Sequence, residues 1–207
     1  MNFKTMMAGA AIAMTAMIPT AQANDLQKKP AETEFGKTLP PVGFVKFCAA
    51  NPEDCKPKGS DHAALAMTPD RWSELQAINT SINAQIAPVS DQDLYGEAEH
   101  WAYPTDAGDC EDYVLLKKRN LENRGFSADT LLITVVLDEK NEGHAILTVT
   151  TEAGDYVLDN RVDQILRWNS TSYKFLKRQS HADPLQWVAL TKRAASSSGH
   201  LTSGSNE

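Results

Sequence analysis

The chain has 207 residues, 42% hydrophobic and 23% charged, with a formal net charge of −7. That length suits one domain with a core large enough for an enzyme, and the acidic balance argues against nonspecific binding to nucleic acid or to an anionic membrane. Past the first residues, no stretch approaches the roughly 18 uncharged apolar residues of a spanning helix, so no transmembrane anchor is expected.

The chain opens MNFKTMMAGAAIAMTAMIPTAQA. Lys4 supplies a positive start, Met6 to Ile18 is apolar and uncharged, and Ala21-Gln22-Ala23 has the small-x-small form of a cleavage site. Residues 1–23 therefore read as a signal peptide, an uncleaved anchor being the alternative, and the protein is expected to be exported and to begin near Asn24. Export implies an oxidising compartment, where three cysteines leave one unpaired. Cys48 and Cys55 frame CAANPEDC, whose Asn51-Pro52 step is a turn signal able to close a disulfide. Pairing of Cys110 with either one is the alternative.

Residues 24–60, rich in Pro, Lys and Glu, read as an extended arm carrying the disulfide loop. TPDRWSELQAINTSINAQI predicts a helix with Thr68 as cap, Pro69 at its first position, and Trp72, Leu75, Ile78, Ile82 and Ile86 on one face. Pro88 to Gly108 reads as irregular and polar. A second helix is predicted from Cys110 to about Arg124, stopped by Gly125. Strands follow at TLLITVVL, HAILTVTT and YVLD, joined by turns at KNEG and EAGD, with shorter candidates at YKFL and QWVAL. The order predicts an α+β domain over 61–193, helices first and then an antiparallel sheet. Residues 194–207 read as a disordered tail.

The chemistry centres on GDCEDY, Gly108 to Tyr113. Asp109 is a good helix N-cap, and Asp112 resembles the acidic half of a capping box. Cys110 then begins a helix, beside free N–H groups that favour thiolate and could hold an oxyanion. The flanking acids act in the opposite sense. A thiol nucleophile needs a base and an orienting group. Of the five histidines, His62 and His200 fall in segments expected to be mobile, and His100 and His181 in loops. His144 opens a strand, and Asp159 ends the next. A turn centred on Ala153-Gly154 would set Asp159 opposite Thr148; facing His144 requires one nearer Thr151-Glu152.

HWAYPTDAGDCEDYVLLKKRNL, EGHAILTV and YVLDNR resemble the three motif blocks of the bacterial transglutaminase-like cysteine proteinases, a family that includes periplasmic proteases releasing large surface adhesins. The resemblance covers roughly Trp101 to Ser180; the Cys48/Cys55 loop lies outside these blocks. It implies a papain/transglutaminase-like fold with the nucleophile at a helix N-terminus, Cys110 as nucleophile, His144 as base and Asp159 as orienter. It also implies periplasmic localisation, a protein substrate in the cell envelope, calcium held by Asp109 and Glu111, and an inner-membrane receptor that sequesters the protease. Calcium suits carboxylate oxygens and would offset acids beside a thiolate.

The reading is thus a thiol peptidase working through an acyl-enzyme, with Trp101 lining the groove or filling the core. A transglutaminase-type acyl transferase would use the same triad, and a non-catalytic binding domain would carry it as a relic. A metal site built from Cys110, His144 and Asp159 matches no compact zinc spacing.

Overall fold

The computed structural model describes residues 31–58 and 64–196. The expected signal peptide, His62, His200 and the tail from 197 lie outside the described residues. Among those described, no helix is long and apolar enough to cross a membrane.

After a two-residue strand, β1 (Lys37–Thr38), the lead-in departs from the expected extended arm. It forms α1 (Val42–Ala50), whose Phe44 and Phe47 are buried in the main core. Apolar residues three apart on one face form a helix despite the Pro-rich approach. The Cys48–Cys55 disulfide then ties the end of α1 to the following turn, with 5.6 Å between Cα atoms. Closing so short a loop contributes about 2.5 kcal/mol in the chain-entropy picture.

The next helix, α2 (Pro69–Gln85), forms as the sequence predicts. Thr68 Oγ1 accepts the Arg71 N–H at 3.2 Å, and Leu75, Ile78 and Ile82 are buried. Residues 87–108 hold more structure than the sequence suggests. A parallel ribbon pairs β2 (Ala87–Pro88) with β3 (Ala107–Gly108), and α3 (Asp91–Tyr95) lies between them, its Ser90 cap accepting the Asp93 N–H. The polar side chains that hide this order make the caps and the acidic cluster described below.

The helix α4 (Cys110–Asn123) ends in a Schellman motif, with Gly125 at φ 81°. The Gly125 N–H reaches Glu122 O at 2.9 Å, and the Phe126 N–H reaches Leu121 O at 3.1 Å. Only a residue at ease with positive φ fits there.

The remaining strands are β4 (Leu131–Leu137), β5 (Gly143–Thr151), β6 (Gly154–Leu158), β7 (Leu166–Arg167), β8 (Lys174–Gln179) and β9 (Trp187–Ala189). They build one seven-stranded sheet in the order β1-β9-β8-β4-β5-β6-β7, every pair antiparallel. The chain continues into α5 (Lys192–Ser196), helical where a disordered tail was expected from 194; Thr38 Oγ1 donates to its Ala194 O at 3.3 Å.

Alternation along the strands separates two cores. Ala145, Leu147, Val149, Leu131, Ile133 and Leu158 meet the helices on one face. Val136, Ile146, Val157 and Phe175 gather on the other, with Trp168 and Tyr173 packed against them. The sheet is therefore buried on both faces, the arrangement that turns its central strands into nearly continuous apolar runs.

Candidate active site

Cys110 is the free cysteine at the first residue of α4, partly buried. Its sulfur accepts the Ala145 N–H at 3.4 Å and lies 3.1 Å from Glu111 Oε2, to which the thiol donates. Burial pushes the thiol well above its ordinary value, and the Glu111 carboxyl pushes the same way. Burial first and the neighbouring acids second thus act against thiolate, in the sense opposite to the helix terminus. Asp109 takes the N-cap position, but its side chain makes no capping hydrogen bond. Asp112 Oδ1 accepts the Ala102 N–H at 2.8 Å. The capping box read from the sequence is thus replaced by carboxylates turned toward one another.

His144 opens β5 and Asp159 follows β6. The hairpin turn is centred on Glu152-Ala153: Thr151 pairs with Gly154, and Leu147 with Leu158. This lies midway between the two turns weighed from sequence. Continued one step, it sets Asp159 opposite Ile146, two residues from His144 and on the same face. The side chains meet on the diagonal, His144 Nε2 lying 2.9 Å from Asp159 Oδ1. Diagonal neighbours are within reach of long side chains.

Three further bonds fix the pair. The Arg161 N–H donates to Asp159 Oδ1 at 3.0 Å, the Tyr173 hydroxyl donates to Oδ2, and Asn83 Nδ2 on α2 donates to the Asp159 carbonyl at 2.9 Å. Burial alone would raise the Asp159 carboxyl, but the bonds from His144, Tyr173 and Arg161 outweigh it and hold it below the ordinary value. His144 Nδ1 is buried and makes no hydrogen bond.

Cys110 and His144 line one cleft of about 220 Å³, together with Pro41, Glu99, Trp101, Glu111, Val135 and Lys177. Trp101 packs into the core and also lines this cleft. It is 7% exposed, meets Phe44 edge-on at 5.7 Å, and presents a wall to the cleft. Lys177 reaches the cleft because of a bulge: Val135 pairs with Lys177 but Val136 with Phe175. Residues two apart ordinarily share a face, and the extra residue, Leu176, sends Phe175 to the far core and Lys177 to the cleft.

Beside the thiol, oxygens of Asp91, Asp109 and Asp112 lie within 4.8 Å of one another, as do ligand atoms of Asp109, Cys110 and Glu111. Asp91 is 1% exposed and Asp112 0%. Asp91 Oδ1, Asp109 Oδ1 and Asp112 Oδ2 are buried with no hydrogen-bond partner. Burial, with like charges around them, pushes Asp112 up to about 7 and Glu111 up to about 9. Three orphaned carboxylate oxygens turned together fit a hard divalent cation, which takes oxygen ligands. Of the pair expected from sequence, Asp109 belongs to both groupings, and Glu111 to the one with Cys110, whose thiol donates to it. The sequence concealed Asp112 as a cap residue and Asp91 as one acid among many in a polar stretch.

The model of the bacterial transglutaminase-like cysteine proteinases matches residues 34–195, which takes in α1 and the disulfide. Among solved structures, the chain is similar to calcium-bound LapG of Legionella pneumophila, with a TM-score of 0.50 and 24% identity over 61% of this chain and 72% of that one. EGTA-treated LapG from the same organism aligns with a TM-score of 0.46 and 23% identity over 55% and 64% of the two chains. None of the curated proteins matches. The likeness to calcium-bound LapG shows a shared fold, and the family match spans most of the chain: it belongs to the bacterial transglutaminase-like cysteine proteinases.

Proposed function

We propose that this chain is an exported, periplasmic cysteine peptidase. It cleaves a peptide bond in an envelope or surface protein, of which a large adhesin is the candidate implied by the resemblance, through an acyl-thioester on Cys110. One observation carries this reading. His144 is held by Asp159 through Nε2, and its Nδ1 is left without a partner in the cleft it shares with the free thiol.

In this mechanism Nδ1 takes the thiol proton, and the thiolate attacks the scissile carbonyl. Backbone N–H groups at the start of α4 receive the developing oxyanion. The C–N bond breaks as His144 returns the proton to the leaving amine. His144 then takes a proton from water, the hydroxide attacks the thioester, and the acid product leaves as the thiol is restored. Asp159 keeps the proton on Nε2 and stabilises the imidazolium, as in other Cys-His-Asn/Asp sites.

Asp91, Asp109 and Asp112, with Glu111 beside them, would hold calcium, the ion that LapG carries in its calcium-bound form. Bound there, the cation supplies positive charge next to the thiol and offsets the acids that disfavour thiolate. An inner-membrane receptor that sequesters the protease is the regulatory partner the resemblance suggests.

The test compares envelope proteins of cells carrying wild type or Cys110→Ser. One surface protein should keep an intact terminus in the variant alone; identical fragment patterns would leave the binding-domain reading ahead.

A further inference from the structure

We propose that Tyr173 is a positioning residue of this site: its hydroxyl fixes the Asp159 carboxylate so that Oδ1 stays aimed at His144. The inference rests on the peptidase reading above and adds to it a residue outside all three motif blocks' acid, base and nucleophile.

Tyr173 stands just before β8, on a segment separate from those carrying His144 and Asp159. Its hydroxyl donates to Asp159 Oδ2, while His144 Nε2 and the Arg161 N–H share Oδ1. The two carboxylate oxygens are thus held from opposite sides. The neighbouring cations do not take the place of the phenol. The Arg161 guanidinium bonds Asp138 at 2.9 Å, and Lys117 Nζ donates to Asn79 Oδ1 at 2.7 Å. The Tyr173 ring also packs on the imidazole, with centroids 5.5 Å apart.

Burial makes the hydroxyl matter. His144 is 3% exposed and Asp159 2%. Asp159 and Tyr173 line a cleft of about 280 Å³ with Val157, Val162 and Leu166 and with the hydroxyl-bearing turn 170–172. The terminal torsion of a carboxylate is broad and soft. Without the phenol, Oδ2 loses the bond that holds it and the carboxylate can turn about the Arg161 N–H, drawing Oδ1 off Nε2. The Tyr173 bond is also among those that keep the carboxyl ionised against burial.

The test uses the full chain and two substitutions. Tyr173→Phe keeps the ring and removes the donor; Tyr173→Leu removes both. For Tyr173→Phe we expect a folded protein whose kcat falls roughly tenfold to a hundredfold, as when an outer-shell partner of a functional side chain is lost. KM should stay within about twofold, since the lost contact acts on the reacting groups and not on substrate binding. The low-field proton resonance of His144 Nε2–H should broaden as exchange with water quickens. Wild-type kcat and an unchanged resonance in Tyr173→Phe, with activity lost only in Tyr173→Leu, would reduce Tyr173 to ring packing and overturn the proposal. Should Tyr173→Phe not fold, Tyr173→His, which keeps a donor, takes its place, and activity no better than that of Tyr173→Leu overturns it equally. Asp159→Asn separates the two levels. Full activity there defeats the peptidase reading itself, whereas an impaired Asp159→Asn beside an unimpaired Tyr173→Phe defeats only the role of Tyr173.

Discussion

His144 and Asp159 meet on the diagonal of a hairpin, two residues out of direct register and on the same face. The diagonal leaves room for the Arg161 N–H on the same carboxylate oxygen, so the acid is anchored before it orients the imidazole. Loss of the base should therefore cost more than loss of the orienter. We expect His144→Ala to abolish peptide cleavage. Asp159→Asn should retain a fraction, because its amide oxygen can still accept from Nε2, with a fall of roughly 10²- to 10⁴-fold in kcat, the upper end being the loss when the third member of a serine triad is made an amide. Single-turnover assays on both variants check the order; an Asp159→Asn protein as inactive as His144→Ala would mean that charge, not orientation, is what Asp159 supplies.

The elements legible in the sequence were those with strong local signals. Thr68 and Pro69 mark the start of α2, Gly125 ends α4, and apolar, β-branched runs between turn signals give β4 and β5. Cys110, His144 and Asp159 could be named because each sits at the end of such an element. What escaped depends on tertiary contact. The helix α1 hid in a Pro-rich segment because its stability comes from burying Phe44 and Phe47 against distant aromatics, Trp101, Tyr103 and Trp187, not from local propensity. Lys177 reaches the cleft through a bulge that no spacing rule encodes, and Tyr173 reads as an ordinary strand-flanking aromatic. Asp91 lies nineteen residues before Cys110 and joins Asp112 only once the 87–108 segment folds back.

The acidic cluster makes stability depend on both pH and cation. Burial raises Asp112 from 3.8 to about 7 and Glu111 from 4.5 to about 9. Folding thus favours their protonated forms. The stability they contribute is whole below the ordinary carboxylate values and is lost as pH climbs through about 7 and then about 9. Glu32, raised to about 8 by burial near Arg178, adds to the same trend from a different part of the fold. Calcium requires ionised carboxylates, so its stabilisation should grow across that window. In EGTA the melting temperature should fall from pH 5 to pH 9. Added calcium should raise it more at pH 9 than at pH 5, and Asp112→Asn should flatten the EGTA slope. Equal calcium increments at both pH values, or none, would remove the cation from this cluster.

The lead-in should influence the cleft directly. Gly43 on α1 lies so close to Trp101 that a Cβ there would meet the indole at 2.3 Å. The indole is also held by edge-on contact with Phe44 and by its own N–H bond to Glu99 at 3.1 Å. It must therefore shift toward the cleft or push α1 away. Gly43→Ala should cost about 1–3 kcal/mol, the usual range for overpacking, and should raise KM through the displaced Trp101. Denaturant unfolding and steady-state kinetics check the two effects separately; unchanged stability would show that α1 yields freely.

Hydrolase and transferase share every residue of the triad and part only at the acyl-thioester. A transferase must bring a neutral amine to that carbonyl and keep water away, which an apolar channel achieves. Here the cleft carries Glu99 and Glu111 beside Trp101 and Val135. A polar lining of this kind keeps an arriving lysine solvated as its ammonium, which is no nucleophile. Lys177, which also lines the cleft, donates to the Leu39 carbonyl at 2.9 Å. A polar cleft stays wet, so water should win the competition for the acyl group. Millimolar dansylcadaverine added to an envelope extract with the active protein should leave fragmentation unchanged and label nothing. Removing the charge by Glu99→Gln should still give fragments, with at most slight amine incorporation. Label on glutamine side chains without backbone cleavage would make the chain a transferase and show that Trp101 and Val135, not the acids, govern access to the carbonyl.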